Sequence, residues 1–188
     1  MVVRMDKNEI IKQTSIPGLL LVNRPIANDG RGFFREIARL NELKELAGID
    51  FTPVQFNHSK SLPKVIRALH GENWNKLVYP ITGKVFVAIV DIREDSPTFA
   101  KVETFTFDDN NRVALFIPKG LANSICVVGN EPVNYIYIVD AYYDGSDTQA
   151  IVWDDPDLNI DWPIKDPILS ERDQRNPTLR ELFPDKFK

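Results

Sequence analysis

Residue types that often carry catalysis or cross-linking are scarce in this chain. Its 188 residues include two histidines and one cysteine, Cys126. A lone cysteine excludes an intrachain disulfide and argues against a thiolate metal cluster. No apolar run reaches the ~18 residues needed to span a bilayer. The segment from Met1 to Thr14 is charged and has no secretory apolar core. The expectation is therefore a soluble, cytoplasmic protein with no membrane association. A formal net charge of -4 gives no basic field for nucleic acid, so none is expected as a partner. Any phosphate binding must come from a few placed Arg and Lys side chains. Internal repeats, low-complexity stretches and a convincing linker are also missing, which predicts a single domain over 1–188.

The residues present are 43% hydrophobic and 27% charged, ordinary globular material. They fall into short β-prone runs separated by Gly, Pro, Asn and Asp. Runs at 18–22, 32–37, 51–59, 65–70, 102–107, 124–128, 133–143 and 150–153 read as strands. The segments 76–79 and 84–92 read as a hairpin about Pro80-Ile81-Thr82-Gly83. The 102–107 strand is expected to turn at 108–111 and return as 113–117. Leu40, Leu43 and Leu46 recur at helical spacing and predict one helix over 40–46. The Pro-rich tail reads as irregular until a short helix at about 178–183. Some ten short strands with frequent turns indicate an all-β sandwich or barrel. Phe33-Phe34 and the run 135–139 could be buried within one barrel or against a second subunit.

Both histidines lie in one stretch, Asn57-His58-Ser59 to Arg67-Ala68-Leu69-His70, with Lys76 shortly after. Histidine titrates near neutrality without perturbation, so this stretch is the first place to look for proton transfer. His58 and His70 lack His-x-His spacing and a third histidine, which weighs against a metal site. On a regular strand Arg67 and His70 face opposite ways, so a bulge or strand end is needed to bring both to one site. His70 alone could equally be a packed histidine, and His58 reads as structural. Tyr135 and Tyr137 share a strand face. They could form an aromatic cluster, or one could serve as a phenolic acid. Glu36, Gln55, Asn57 and Asp173 are unremarkable one at a time.

Taken together, these residues resemble the dTDP-4-dehydrorhamnose 3,5-epimerase family over about 18–179. The motifs, in order, are Asp29-Gly-Arg-Gly-Phe-Phe-Arg-Glu36, Gln55-Phe-Asn-His-Ser59, Ile66-Arg-Ala-Leu-His70 and Lys76-Leu-Val. The series continues with 83–93, Ser96-Pro-Thr-Phe99, Ile117-Pro-Lys-Gly120, Tyr137, Tyr142-Tyr143, Trp153-Asp-Asp, Trp162-Pro163 and Ser170-Glu-Arg-Asp173. The resemblance implies an all-β, cupin-like jelly-roll barrel with a few short peripheral helices. It also implies a homodimer, no metal and no cofactor. The implied substrate is a nucleotide-linked 4-keto-6-deoxy sugar, dTDP- or CDP-linked, in deoxysugar biosynthesis such as that of the O-antigen. By motif, His70 corresponds to the base, Asp173 to its orienting carboxylate, Tyr137 to the acid and Lys76 to the enolate-stabilising cation. Arg31 and Arg67 correspond to phosphate contacts. Glu36, Gln55, Asn57 and Asn123 correspond to other substrate-binding positions, Tyr143 to a stacking residue and Arg172 to a basic binding position.

Four departures from the family pattern stand out. Asn123 occupies a histidine position and is followed by Ser124-Ile125 in place of Gly-Phe. Glu72 replaces a glutamine, and the loop from His70 to Lys76 is short. Thr148, beside Asp147, occupies an acidic position. All four are expected at the substrate-binding surface. Alternatives from the same residues are a C3-only epimerase, a ketoisomerase, a non-catalytic sugar-nucleotide-binding cupin and a metal-dependent cupin oxygenase.

Overall fold

The computed structural model describes residues 6–143 and 149–188. Thr148 and Asp147 therefore lie outside the described residues, as do Met1 to Met5 of the N-terminal segment. Thirteen strands are present: β1 (Ile11–Gln13), β2 (Leu20–Val22), β3 (Ile26–Asp29), β4 (Gly32–Arg35), β5 (Gln55–Ser61), β6 (Ile66–Gly71) and β7 (Lys76–Pro80), then β8 (Val85–Asp91), β9 (Val102–Phe107), β10 (Ala114–Ile117), β11 (Leu121–Val127), β12 (Val133–Val139) and β13 (Gln149–Ala150). Short helices α1 (Lys7–Ile10), α2 (Leu40–Ala47), α3 (Glu171–Gln174) and α4 (Leu179–Leu182) lie at the periphery.

One sheet has the order β1-β2-β10-β7-β12-β5 and the other β13-β6-β11-β8-β9, while β3 and β4 form a separate hairpin. The eight strands from β5 to β12 divide as 5-12-7-10 and 6-11-8-9, all antiparallel. This is the jelly-roll order, in which the first and last strands pair and the chain crosses repeatedly between sheets.

That topology corrects two expectations. Strands β7 and β8 form no hairpin, because they belong to different sheets. Strand β9 likewise does not return as its neighbour, since β10 pairs with β2 and β7. Of the consecutive strands in this set, β8 and β9 alone pair. The predicted helix appears as α2, closed by Gly48 in the left-handed region at φ 70°. Its C-terminal amide hydrogen bonds match the αL stop that glycine favours.

Apolar residues from both sheets meet in the middle: Val78, Leu115 and Tyr135 from one, Val87, Ile89, Phe107 and Ile125 from the other. The outer faces are covered too. Leu43 of α2 packs with Leu77, Tyr79 and Phe116, while the C-terminal tail brings Leu158, Leu179 and Phe183 against Leu69 and Val90. Burial on both faces accounts for the near-continuous apolar runs of β7 and β8, which do not alternate. The tail is thus a fitted cover. The Thr178–Glu181 capping box starts α4, and the buried Asp155 accepts the Leu179 amide at 2.7 Å.

Candidate active site

Between the two sheets lies a cavity of about 150 Å³, lined by Ser59, Arg67, His70, Glu72, Lys76, Val78, Asn123, Ile125, Tyr135 and Tyr137. Strand β6 supplies His70 from the five-stranded sheet, and β12 supplies Tyr137 from the six-stranded sheet. The two therefore stand on facing walls. Tyr135 and Tyr137 point inward together, as their period-2 spacing predicts, with ring centroids 6.5 Å apart.

Arg67 and His70 both reach the cavity because β6 carries a register shift. Asn123 of β11 is opposite His70, and Ile125 is opposite Arg67. Three steps along β6 thus match two along β11. The extra residue is a bulge of the kind the strand parity requires. Arg67 is held by its Nε–H, which donates to the Ser61 hydroxyl at 2.9 Å.

Behind His70 stands Asp173, which is 3% exposed. Its Oδ1 is 2.7 Å from His70 Nε2, and its Oδ2 accepts the Ala68 amide within the bulge at 3.4 Å. A carboxylate can only accept, so Nε2 carries the proton and Nδ1 is left as the basic atom of neutral His70. Burial alone would raise the Asp173 carboxyl. The hydrogen bond and charge of His70, with the Ala68 amide, outweigh burial and hold it below the usual carboxylate value. Helix α3 presents this side chain. Ser170 caps it by accepting the Asp173 amide, although the sequence gives no periodic signal for a four-residue helix.

Lys76 is 5% exposed. Its ammonium donates to Asn123 Oδ1 at 2.6 Å and is ion-paired with Glu72. Burial pulls the ammonium down to about 7. Glu72 and Asn123 line the cavity and sit directly on the buried cation. Sequence reasoning missed both contacts and gave Ser59 no role, while Tyr135, read from the strand period as sharing a face with Tyr137, joins it in the cavity. The Tyr135 hydroxyl is buried without a hydrogen-bond partner among the described residues, and burial raises it well above the usual phenol value.

A second cavity, of about 360 Å³, shares Arg67 and His70 with the first and adds Ser170, Arg172 and Asp173. Gln55 and Asn57 line neither of these cavities. They form a separate group in which Gln55 donates to Asn57 at 2.8 Å and accepts the Tyr143 amide at 3.2 Å. Tyr143 meets Trp74 edge to face at 6.4 Å. His58 is exposed and bonds Asn134 at 3.0 Å, outside the site.

Arg31 and Glu36 are not brought to the cavities. Arg31 projects from the β3–β4 hairpin with its side chain 91% exposed and pairs with Asp29. Glu36 is paired with Arg24 and Arg39. Among the described residues no group of three or more His, Cys, Asp or Glu is placed to hold a metal ion.

Comparisons with known proteins agree with this arrangement. A family model described as dTDP-4-dehydrorhamnose 3,5-epimerase matches residues 13–181. A protein of that name from Neisseria gonorrhoeae is 39% identical over 94% of this chain, which spans 56% of that relative's length. The solved structure of an RmlC epimerase from Legionella pneumophila, in complex with dTDP-4-keto-L-rhamnose, is similar at a TM-score of 0.86 and 34% identity, covering 93% of this chain and 95% of that one. A 3'-monoepimerase from Streptomyces bikiniensis, in complex with dTDP-quinovose, gives a TM-score of 0.84 at 28% identity over 91% of this chain and 89% of its own. With sequence and fold in agreement, the chain belongs to the dTDP-4-dehydrorhamnose 3,5-epimerase family.

Proposed function

We propose that the chain is an epimerase inverting C3, C5 or both of a nucleotide-linked 4-keto-6-deoxy sugar, dTDP- or CDP-linked. The observation that carries this reading is the cavity with His70 on one wall, Tyr137 on the facing wall and the Lys76 ammonium between the sheets. The C4 ketone acidifies the hydrogens on C3 and C5. His70, oriented and charge-stabilised by Asp173, removes one of them. The released electron pair moves onto the C4 oxygen as an enolate, which Lys76 stabilises by its charge. Tyr137 then donates its phenolic proton to the carbon from the other face, and the centre inverts.

Arg67 and Arg172 border the second cavity and suit a nucleotide diphosphate, since guanidinium matches phosphate oxygens. Gln55, Asn57 and Tyr143, grouped beside Trp74, suit the base. We also propose a cytoplasmic homodimer in which a second copy brings Arg31 and Glu36 toward the site. Phe33 and Phe34 on the hairpin, and Phe56 on the edge strand β5, are 67%, 70% and 69% exposed. Such surface is expected to be covered.

Incubation with dTDP- and CDP-4-keto-6-deoxyglucose in deuterated water tests the reading. Exchange at C3 and C5 is expected from a double epimerase. Exchange at C3 alone identifies a monoepimerase, a second reading supported by likeness to the Streptomyces bikiniensis enzyme. No exchange with either nucleotide would overturn the proposal. His70→Asn and Tyr137→Phe should each cut exchange by about 10²-fold or more while nucleotide binding, followed by calorimetry, persists.

A further inference from the structure

The cation in the cavity is unusual in the company it keeps. An ammonium has three N–H donors. Here Asn123 Oδ1 accepts one at 2.6 Å, and the Glu72 carboxylate is ion-paired with the same ammonium. Glu72 stands two residues beyond His70, where β6 has just ended, and its backbone is fixed there. Its carbonyl accepts the Gly120 amide at 3.2 Å. The short loop that follows is pinned at its far end, where Asn75 donates its amide and side chain to Asp140 at 2.9 and 2.6 Å. The carboxylate therefore approaches Lys76 from a fixed position.

We propose that Glu72 is a positioning residue for Lys76, keeping the buried ammonium charged and, with Asn123, fixing where it stands in the cavity. This rests on the proposed enolate chemistry, in which Lys76 serves only while protonated. The other groups facing Lys76 do not supply the negative charge. Strand β12 brings the phenols Tyr135 and Tyr137, and β11 brings the neutral Asn123. The backbone partner on β10 is the apolar Ile117. Strand β6 brings His70 and the cation Arg67, and Asp173 stands behind His70 as its partner. Arg67 works against a second positive charge. Glu72 is the one carboxylate paired with the ammonium among the described residues.

The assignment has a consequence for substrate choice. An ammonium flanked by Asn123 and Glu72 is approached by a sugar oxygen from the side they leave open, so the oxygen that reaches that side is the one selected. A glutamine at position 72 would preserve an acceptor and remove the charge, so Glu72→Gln separates the two roles.

The test uses full-length protein with isotope-labelled lysine, the Lys76 signal being assigned with Lys76→Arg. The Lys76 titration midpoint is compared between the wild type and Glu72→Gln. In Glu72→Gln it should fall by about one to three pH units, the usual effect of losing an opposite charge at contact distance. The alkaline limb of kcat/KM should move down in pH by the same amount, with kcat affected more than KM. Equal midpoints in the two proteins would overturn the assignment. If Glu72→Gln fails to fold, a Lys76 found uncharged at neutral pH in the wild type overturns it alone. The titration reads Lys76 without turnover, so an absence of sugar exchange would remove the proposed reaction and leave the Glu72 assignment to be decided separately.

Discussion

Replacing Asp173 by asparagine keeps the side chain's shape and removes its charge. In Asp173→Asn the Nε2–H of His70 loses its carboxylate, and the imidazolium formed during proton removal loses its stabilising partner. Turnover is expected to fall by about 10²- to 10⁴-fold, with nucleotide affinity within a fewfold of wild type; deuterium exchange and calorimetry measure the two. The same carboxyl has a lowered pKa in the folded state. Its contribution to stability is therefore fully present above the unfolded value of about 3.9 and is lost as pH falls through the folded value. Acid unfolding of Asp173→Asn should consequently show less pH dependence below about pH 4. At this scale the sequence was informative. His70, Lys76 and Tyr137 lie together, and Asp173 touches His70, although it stands 103 residues further along. Arg31 and Glu36 lie away from the cavities in a single copy of the chain, a placement that motif membership alone does not fix.

The turn between β7 and β8 shows what strand-level reading can and cannot supply. Gly83 has φ 78°, and a Cβ there would lie 2.8 Å from the Pro132 carbonyl oxygen and 2.9 Å from a Val133 methyl. Gly83→Ala thus combines left-handed strain with a backbone clash. It should destabilise the protein by about 2 kcal/mol or more, read as a lower urea midpoint at unchanged m. Glycine, proline and threonine at 80–83 marked a turn correctly, but not the partners of the strands it joins. Periodicity reports which face of a strand is buried and is silent about which strand lies beside it. The errors at β7–β8 and β9–β10 have that single cause. The β6 bulge was foreshadowed more directly, since two cavity-facing side chains three residues apart cannot both fit a regular strand. Helix α3 had no such signal, being one turn long and fixed by its Ser170 cap.

For the whole molecule, the proposed dimer is one in which copies meet through the edge strand β5 and the β3–β4 hairpin, whose aromatic side chains are exposed. Phe56→Glu places a charge on an aromatic position that is 69% exposed in one copy. If two copies associate through this face, the variant should sediment as a monomer where the wild type sediments as a dimer, and its nucleotide affinity should fall because Arg31 is no longer supplied. An unchanged dimer would place the interface elsewhere. Pairing of β5 with β12, the first and last strands of the jelly roll, has a different consequence, in the time domain. Tyr137 leaves the ribosome well after His70, and its strand is held by β5 and β7, both made much earlier. The walls of the cavity cannot face each other until this closure, which pairs residues 72 to 84 positions apart, is complete. Closures over such separations are slow, typically milliseconds to seconds. Recovery of activity on refolding should therefore follow the last kinetic phase, and nascent chains ending before β12 have no site to offer a sugar nucleotide.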